Sequence, residues 1–176
     1  MERIAVFCSA SQNIDKIYVE KAAEFGKWLG ENKRCLVYGG TNSGLMEVVA
    51  KEAHENGSMV MGVVPTIVEE RGKTSDNCDV VFRTDNLSDR KDVMLRESEI
   101  LVALPGGVGT LDEIFHIMAG ATIGYHTKQV ILYNIDGFWD GIIDFLGGLE
   151  SKGFTRAPLC HYYKVANNFD ELISML

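Results

Sequence analysis

Short apolar runs alternate with stretches of helical spacing from one end of the chain to the other. Arg3 to Cys8 reads as a first strand. Asp15 to Glu31 follows as a helix, since Ile14, Tyr18, Ala22, Phe25 and Leu29 recur near a 3.6-residue period. Cys35 to Tyr38 is a second strand ended by Gly39-Gly40, and Ser43 to Asn56 a helix closed by Gly57. Met59 to Val64 is a third strand, stopped by Pro65. The remaining expected elements are a strand at Asp79 to Arg83, a helix at Ser88 to Ser98, a strand at Glu99 to Leu104 and a helix at Thr110 to Ile123. A strand at Gln129 to Tyr133, a helix at Phe138 to Lys152, a short strand near Tyr163 to Val165 and a helix at Phe169 to Met175 complete the pattern. The polar segment Thr66 to Asp76 fits neither period and reads as a connector or a lid.

Strand–helix alternation with apolar strands predicts an α/β fold. The expected form is a single-domain, Rossmann-like, doubly wound parallel sheet over residues 1–176, with helices on both faces. Such sheets bind ligands outside the carboxyl ends of their strands. Three loops rich in glycine or serine fall there: Ser9-Ala10-Ser11, Gly39 to Gly44, and Pro105-Gly106-Gly107.

The third loop carries the most chemistry. Gly106, Gly107, Gly109 and Thr110 lead from a buried strand into a helix, where free backbone amides and the helix dipole favour an anion such as phosphate. Glu113 brings a carboxylate beside that anion seat. It also lies three residues beyond Thr110, the spacing of a capping box, and spacing alone leaves both readings open. Arg90 and Lys91 open the preceding helix, where cations oppose the dipole, so they are either anion contacts or solvated charges balanced by Asp89 and Asp92. Neither a GxGxxG fingerprint nor a GxxxxGK[ST] phosphate loop occurs.

A formal net charge of −8 argues against a partner that is a nucleic-acid polymer. No apolar run approaches the ~20 residues of a membrane span, and nothing near Met1 resembles a signal peptide, so a cytoplasmic location is expected. The four cysteines form no CxxC pair, and Glu113 with His116 makes only one Glu-x-x-His spacing, so neither a metal nor another cofactor is expected.

At these residues the sequence resembles the Lonely guy family of cytokinin riboside 5′-monophosphate phosphoribohydrolases. The family motif Pro-Gly-Gly-x-Gly-Thr-x-x-Glu is matched by Pro105 to Glu113 and the Arg-Lys segment by Arg90, Lys91 and Met94. Its Tyr-Gly-Gly-x-x-x-Gly-Leu-Met loop is matched by Tyr38 to Met46, and its first strand and loop by Val6 to Ser11. The resemblance implies hydrolysis of the N-glycosidic bond of a nucleoside 5′-monophosphate, AMP or an N6-substituted AMP. Arg90 and Glu113 would then be catalytic. Lys91, Gly107, Val108, Gly109, Thr110, Leu111, Asp112, Gly39, Gly40 and Ser9 would contact substrate. It also implies a homodimer or larger homo-oligomer, with the helices Ser88 to Ser98 and Thr110 to Ile123 as candidate interface elements. The alternative is a non-catalytic carrier of a nucleotide or phospho-cofactor on the same fold. Val108 stands where the plant-type pattern has tyrosine, His116 where a second glutamate is common, Gly120 for a tryptophan and Leu87 for a methionine. These changes bear on the base pocket rather than on the cleavage chemistry.

Overall fold

The computed structural model describes residues 1–176. Seven strands form one parallel sheet: β1 Arg3–Phe7, β2 Cys35–Tyr38, β3 Val60–Pro65, β4 Val80–Thr84, β5 Ile100–Ala103, β6 Val130–Tyr133 and β7 Tyr163–Ala166. Their spatial order is β4-β3-β2-β1-β5-β6-β7, with every neighbouring pair parallel. The helices are α1 Lys16–Glu31, α2 Gly44–Glu55, α3 Thr66–Glu70, α4 Leu87–Arg96, α5 Val108–Thr122, α6 Asp140–Ser151 and α7 Phe169–Ser174.

Each strand presents alternate residues to opposite faces, so the sheet separates two cores. Ile4, Val6 and Cys8 of the first strand and its exit pack with Phe25, Leu29 and Val49 from α1 and α2. Ala5 and Phe7 of the same strand pack with Met94, Ile114 and Ile117 from α4 and α5. Burial of both faces explains why the central strands β1, β2, β5 and β6 read as continuous apolar runs rather than as an alternation.

The chain winds outward from β1 to β4 and then returns to the other side of β1 as β5. The loops leaving β1 and β5 therefore diverge, and the crevice between them is the topological switch point where ligands of such folds bind.

Two expectations need correction. Thr66 to Asp76 is not an irregular lid. Its first five residues form α3, held by Arg83 with its guanidinium on the Glu69 carboxylate. The rest straps the loop after β2: Asn42 N–H donates to the Lys73 carbonyl at 2.8 Å, Ser75 N–H donates to the Gly40 carbonyl at 2.9 Å, and Thr74 bridges Thr41. A five-residue helix is too short for periodicity to reveal. Pro65 also does not stop β3 but ends it as a paired residue opposite Thr84.

Candidate active site

Ser9 ties the crevice together. Its N–H donates to the Pro105 carbonyl at 3.2 Å, and its own carbonyl accepts from Met46 N–H at 3.2 Å. One residue thus links the exits of β1 and β5 with the start of α2. Ser43 adds a second tie, its hydroxyl donating to the Ala10 carbonyl at 2.7 Å.

Helix α5 starts at Val108, two residues earlier than the sequence signals suggest. The N-cap is Gly107, and it supplies no side-chain hydrogen bond. The first amides of any helix lack an intrahelical partner. Here those of Val108, Gly109 and Thr110 open on a cleft of about 390 Å³ that is walled on the other side by Ser9, Ala10 and Ser11. That volume falls within the range of small-molecule sites, roughly 300–1,000 Å³. Gly106 is required by packing, because a Cβ there would lie 2.0 Å from the Thr110 hydroxyl oxygen.

The earlier start removes the capping-box reading of Glu113. Thr110 is the third helical residue rather than the cap, and the Glu113 carboxyl turns into the cleft. Glu113 is only 3% exposed. One carboxyl oxygen pairs with Arg90 Nη1 at 3.1 Å, while the other, Oε2, has no partner. Burial pushes its pKa up, the Arg90 charge pulls against that, and the balance lies at about 7.

Arg90 is the fourth residue of α4 rather than its opening, so the dipole penalty expected for it is largely spent. Its side chain is 11% exposed and fixed from three directions. Nε donates to the Val63 carbonyl at 3.0 Å, Nη1 meets Glu113, and Nη2 lies against Gly39 so closely that a Cβ there would come within 1.8 Å of it. Gly39 is thus the seat of the guanidinium, and Gly40, at φ +72°, turns the chain away beneath the strap.

The structure brings together Arg90, Glu113, Ser9, Gly107, Val108, Gly109 and Thr110 around one cleft. It does not bring Lys91, Leu111, Asp112, Gly39 or Gly40 to the cleft wall. Lys91 Nζ lies 2.8 Å from both carboxyl oxygens of Asp112, and Leu111 packs into the core beneath α5. Ala10 and Ser11, of the loop expected at the ligand edge, line the wall too, as do Cys8 and Met46 from the matched motifs; what sequence reasoning missed is the Val63 carbonyl behind Arg90. Val63 carries no polar side chain that could have signalled it. A second hollow of about 240 Å³ opens on the far side of Ser9, against Asn13, Tyr18 and Phe138, and holds no buried ionisable group. No three histidine, cysteine or carboxylate side chains are grouped to hold a metal ion.

Comparison with known proteins gives the family of the chain. The family described as "Possible lysine decarboxylase" matches residues 46–176. A probable cytokinin riboside 5′-monophosphate phosphoribohydrolase of Oryza sativa subsp. japonica is 37% identical over 99% of this chain and 71% of its own length. The chain belongs to the Lonely guy family. An Arabidopsis thaliana member, named a cytokinin riboside 5′-monophosphate phosphoribohydrolase, is 33% identical over 99% of this chain and 77% of its own. The fold of this Lonely guy protein is also that of the molybdenum cofactor carrier protein from Chlamydomonas reinhardtii. That protein superposes with a TM-score of 0.75 at 24% identity, over 99% of this chain and 94% of its own. A molybdenum cofactor binding protein from Rippkaea orientalis superposes with a TM-score of 0.74 at 20% identity, over the same shares of the two chains.

Proposed function

We propose that this protein hydrolyses the N-glycosidic bond of a nucleoside 5′-monophosphate, releasing a free base and ribose 5-phosphate. The observation that carries the reading is Glu113: a buried carboxyl group with one oxygen on Arg90 and the other unpartnered, facing a helix N-terminus that has no side-chain cap.

In this reading the amides of Val108, Gly109 and Thr110 hold the 5′-phosphate, with Ser9 opposite. Gly109 and Glu113 are four residues apart on α5 and so share one face, about one 5.4 Å turn from each other. A ribose anchored by its phosphate then presents C1′ to the carboxylate. As the bond from C1′ to the base lengthens, positive charge grows on the sugar. The ionised Glu113 stabilises that charge and takes a proton from the attacking water; the water oxygen bonds to C1′, and the proton passes on to the departing base, which restores the carboxylate. Arg90 holds the carboxylate in place and keeps part of it ionised near neutral pH. Anchoring the substrate at its phosphate converts binding into orientation at the reacting carbon.

Val108 is 84% exposed at the lip of the cleft. AMP and N6-substituted AMP both fit the reading. We assign the whole of residues 1–176 to one nucleotide-binding domain. We further propose a homodimer or larger assembly. Phe115 and Phe154 share an open apolar hollow with Met118, Leu146 and Leu149 beside α5, the kind of exposed apolar surface that single copies of proteins seldom leave in water. No helix is long and apolar enough to cross a membrane. A cytoplasmic location fits a substrate class made inside cells.

Lysine decarboxylation does not suit these residues. No lysine lines the cleft to form an imine with a carbonyl cofactor, and the neighbouring Lys91 is occupied by Asp112. A non-catalytic carrier would use the same amides but has no use for a half-paired buried carboxyl group.

The test is a panel of nucleosides and their mono-, di- and triphosphates incubated with purified protein and separated by chromatography. Release of base with ribose 5-phosphate from monophosphates is the expected result. Recovery of every nucleotide unchanged would overturn the reading.

A further inference from the structure

The cleft has a neighbour. On the far side of Ser9, a hollow of about 240 Å³ lies among the exits of β1, β5 and β6. Ser9 belongs to both walls, and Gly106 of the hollow is followed directly by Gly107 of the cleft. The Ser9 N–H on the Pro105 carbonyl, at 3.2 Å, ties the floor between the two. A ligand reaching into both would therefore cross over Ser9 and Gly106, a ridge made of two small residues. The Ser9 hydroxyl oxygen accepts from Ser11 N–H at 3.0 Å, which leaves its own proton free for a phosphate oxygen on that ridge.

The far wall of the hollow is aromatic. Tyr18 of α1 and Phe138, between β6 and α6, meet edge to face with ring centroids 5.5 Å apart. Phe138 rests in the same manner on the buried Trp139, at 4.8 Å. The hollow is smaller than a complete small-molecule site of roughly 300–1,000 Å³, but a cavity of about 150 Å³ suffices for benzene, so it suits a single ring. Its charge is negative. Asp15 lines it and makes no side-chain hydrogen bond in capping α1. No lysine or arginine is on the wall; Lys16, next in sequence, pairs with Glu20 at 3.0 Å. Neither Lys16 nor Ile17, which carry the first amides of α1, lines the hollow.

We propose that this hollow is a subsite for a neutral planar ring esterified to the 5′-phosphate, so that the protein takes nucleoside 5′-phosphodiesters of that kind as well as monophosphates. The proposal rests on the phosphate seat of the nucleotide-cleavage reading. A phosphodiester keeps one negative charge for the amides of Val108, Gly109 and Thr110, and its ester oxygen carries the ring over Ser9 onto Tyr18 and Phe138. Hydrolysis is that of AMP: the bond from C1′ to the base breaks, water gives its oxygen to C1′ and a proton to the base, and the phosphodiester stays intact. A second phosphate in place of the ring would meet the Asp15 carboxylate with no cation to offset it, so 5′-diphosphates are disfavoured.

The experiment measures Kd by isothermal titration for AMP, ADP, adenosine 5′-(methyl phosphate) and adenosine 5′-(phenyl phosphate), with Glu113→Gln in every sample to suppress turnover. The two esters carry the same charge and differ in the ring. The phenyl ester should bind about three- to tenfold more tightly than the methyl ester, the gain of one aromatic contact. Tyr18→Ala or Phe138→Ala should abolish that difference and leave Kd for AMP unchanged; either suffices if the other does not fold. Asp15→Asn should narrow the gap between ADP and AMP about two- to fivefold, the size expected of an exposed charge. An unchanged gap would overturn the role of Asp15. Esters that bind equally well, or a phenyl preference that survives both aromatic substitutions, would overturn the subsite and leave the cleavage reading intact. Base release is then followed with Glu113 in place. A phenyl preference lost in the variants, with no base released from any ligand, would support the subsite and overturn the cleavage reading. No binding of AMP or of either ester would overturn both.

Discussion

Glu113 is a carboxyl group held out of water beside a guanidinium, and burial outweighs the attraction. With its pKa at about 7 rather than in the usual carboxylate range, kcat/KM for AMP should rise with pH through about 7 and level off, because the free enzyme must ionise to work. Stability should run the other way. The folded state keeps a proton that the unfolded chain gives up near 4.5, so this contribution is full below that value and is lost as pH rises through about 7. Glu113→Gln should erase that slope, on the order of 1–3 kcal/mol across the window, in melts from pH 4.5 to 7.5. A variant that keeps the slope would show that another group causes it. The same substitution should lower kcat by roughly 10²–10⁴ while AMP still binds, as isothermal titration would record. Gly39→Ala acts on the other partner. Its methyl would occupy the place of Arg90 Nη2, so kcat should drop about tenfold or more with the fold retained by circular dichroism. Unchanged kinetics would mean that the guanidinium has another resting place.

At the scale of elements, the pairing of α4 with α5 decides what Lys91 does. The family resemblance implies that it touches substrate, whereas its ammonium group lies on Asp112 and away from the cleft. Lys91→Met should therefore lower kcat more than it raises KM, and Asp112→Asn should do the same without adding to it. A large rise in KM at constant kcat would instead put Lys91 on the phosphate. The difference marks what was legible in the chain. The sheet strands were readable within a residue or two, because burial on both faces leaves apolar runs in the central strands, with glycine just beyond β2 and proline just beyond β5. The order of the strands follows from their sequence only through the return at β5, which no local pattern announces. The start of α5 was misplaced because Gly107, Val108 and Gly109 are weak helix formers with no capping side chain. That same lack of a cap leaves the amides free for an anion. Glu113 and Arg90 were identifiable as candidates from motif spacing, but their contact, and the Val63 carbonyl and Gly39 backbone that hold it, arise only when separate strands come together.

For the whole molecule, one sheet places three loops at a single switch point and leaves aromatic surface exposed beyond α5. Light scattering should find a dimer or larger species, and Phe115→Glu should shift it toward monomer. A monomer at micromolar concentration without substitution would contradict the assembly proposal, though not the site. The site itself is tested most directly by one measurement: time courses of adenine and ribose 5-phosphate formed from AMP by the unaltered protein and by Glu113→Gln. The account predicts equimolar products from the first and almost none from the second. Unchanged AMP from the first, or equal rates from both, would contradict it.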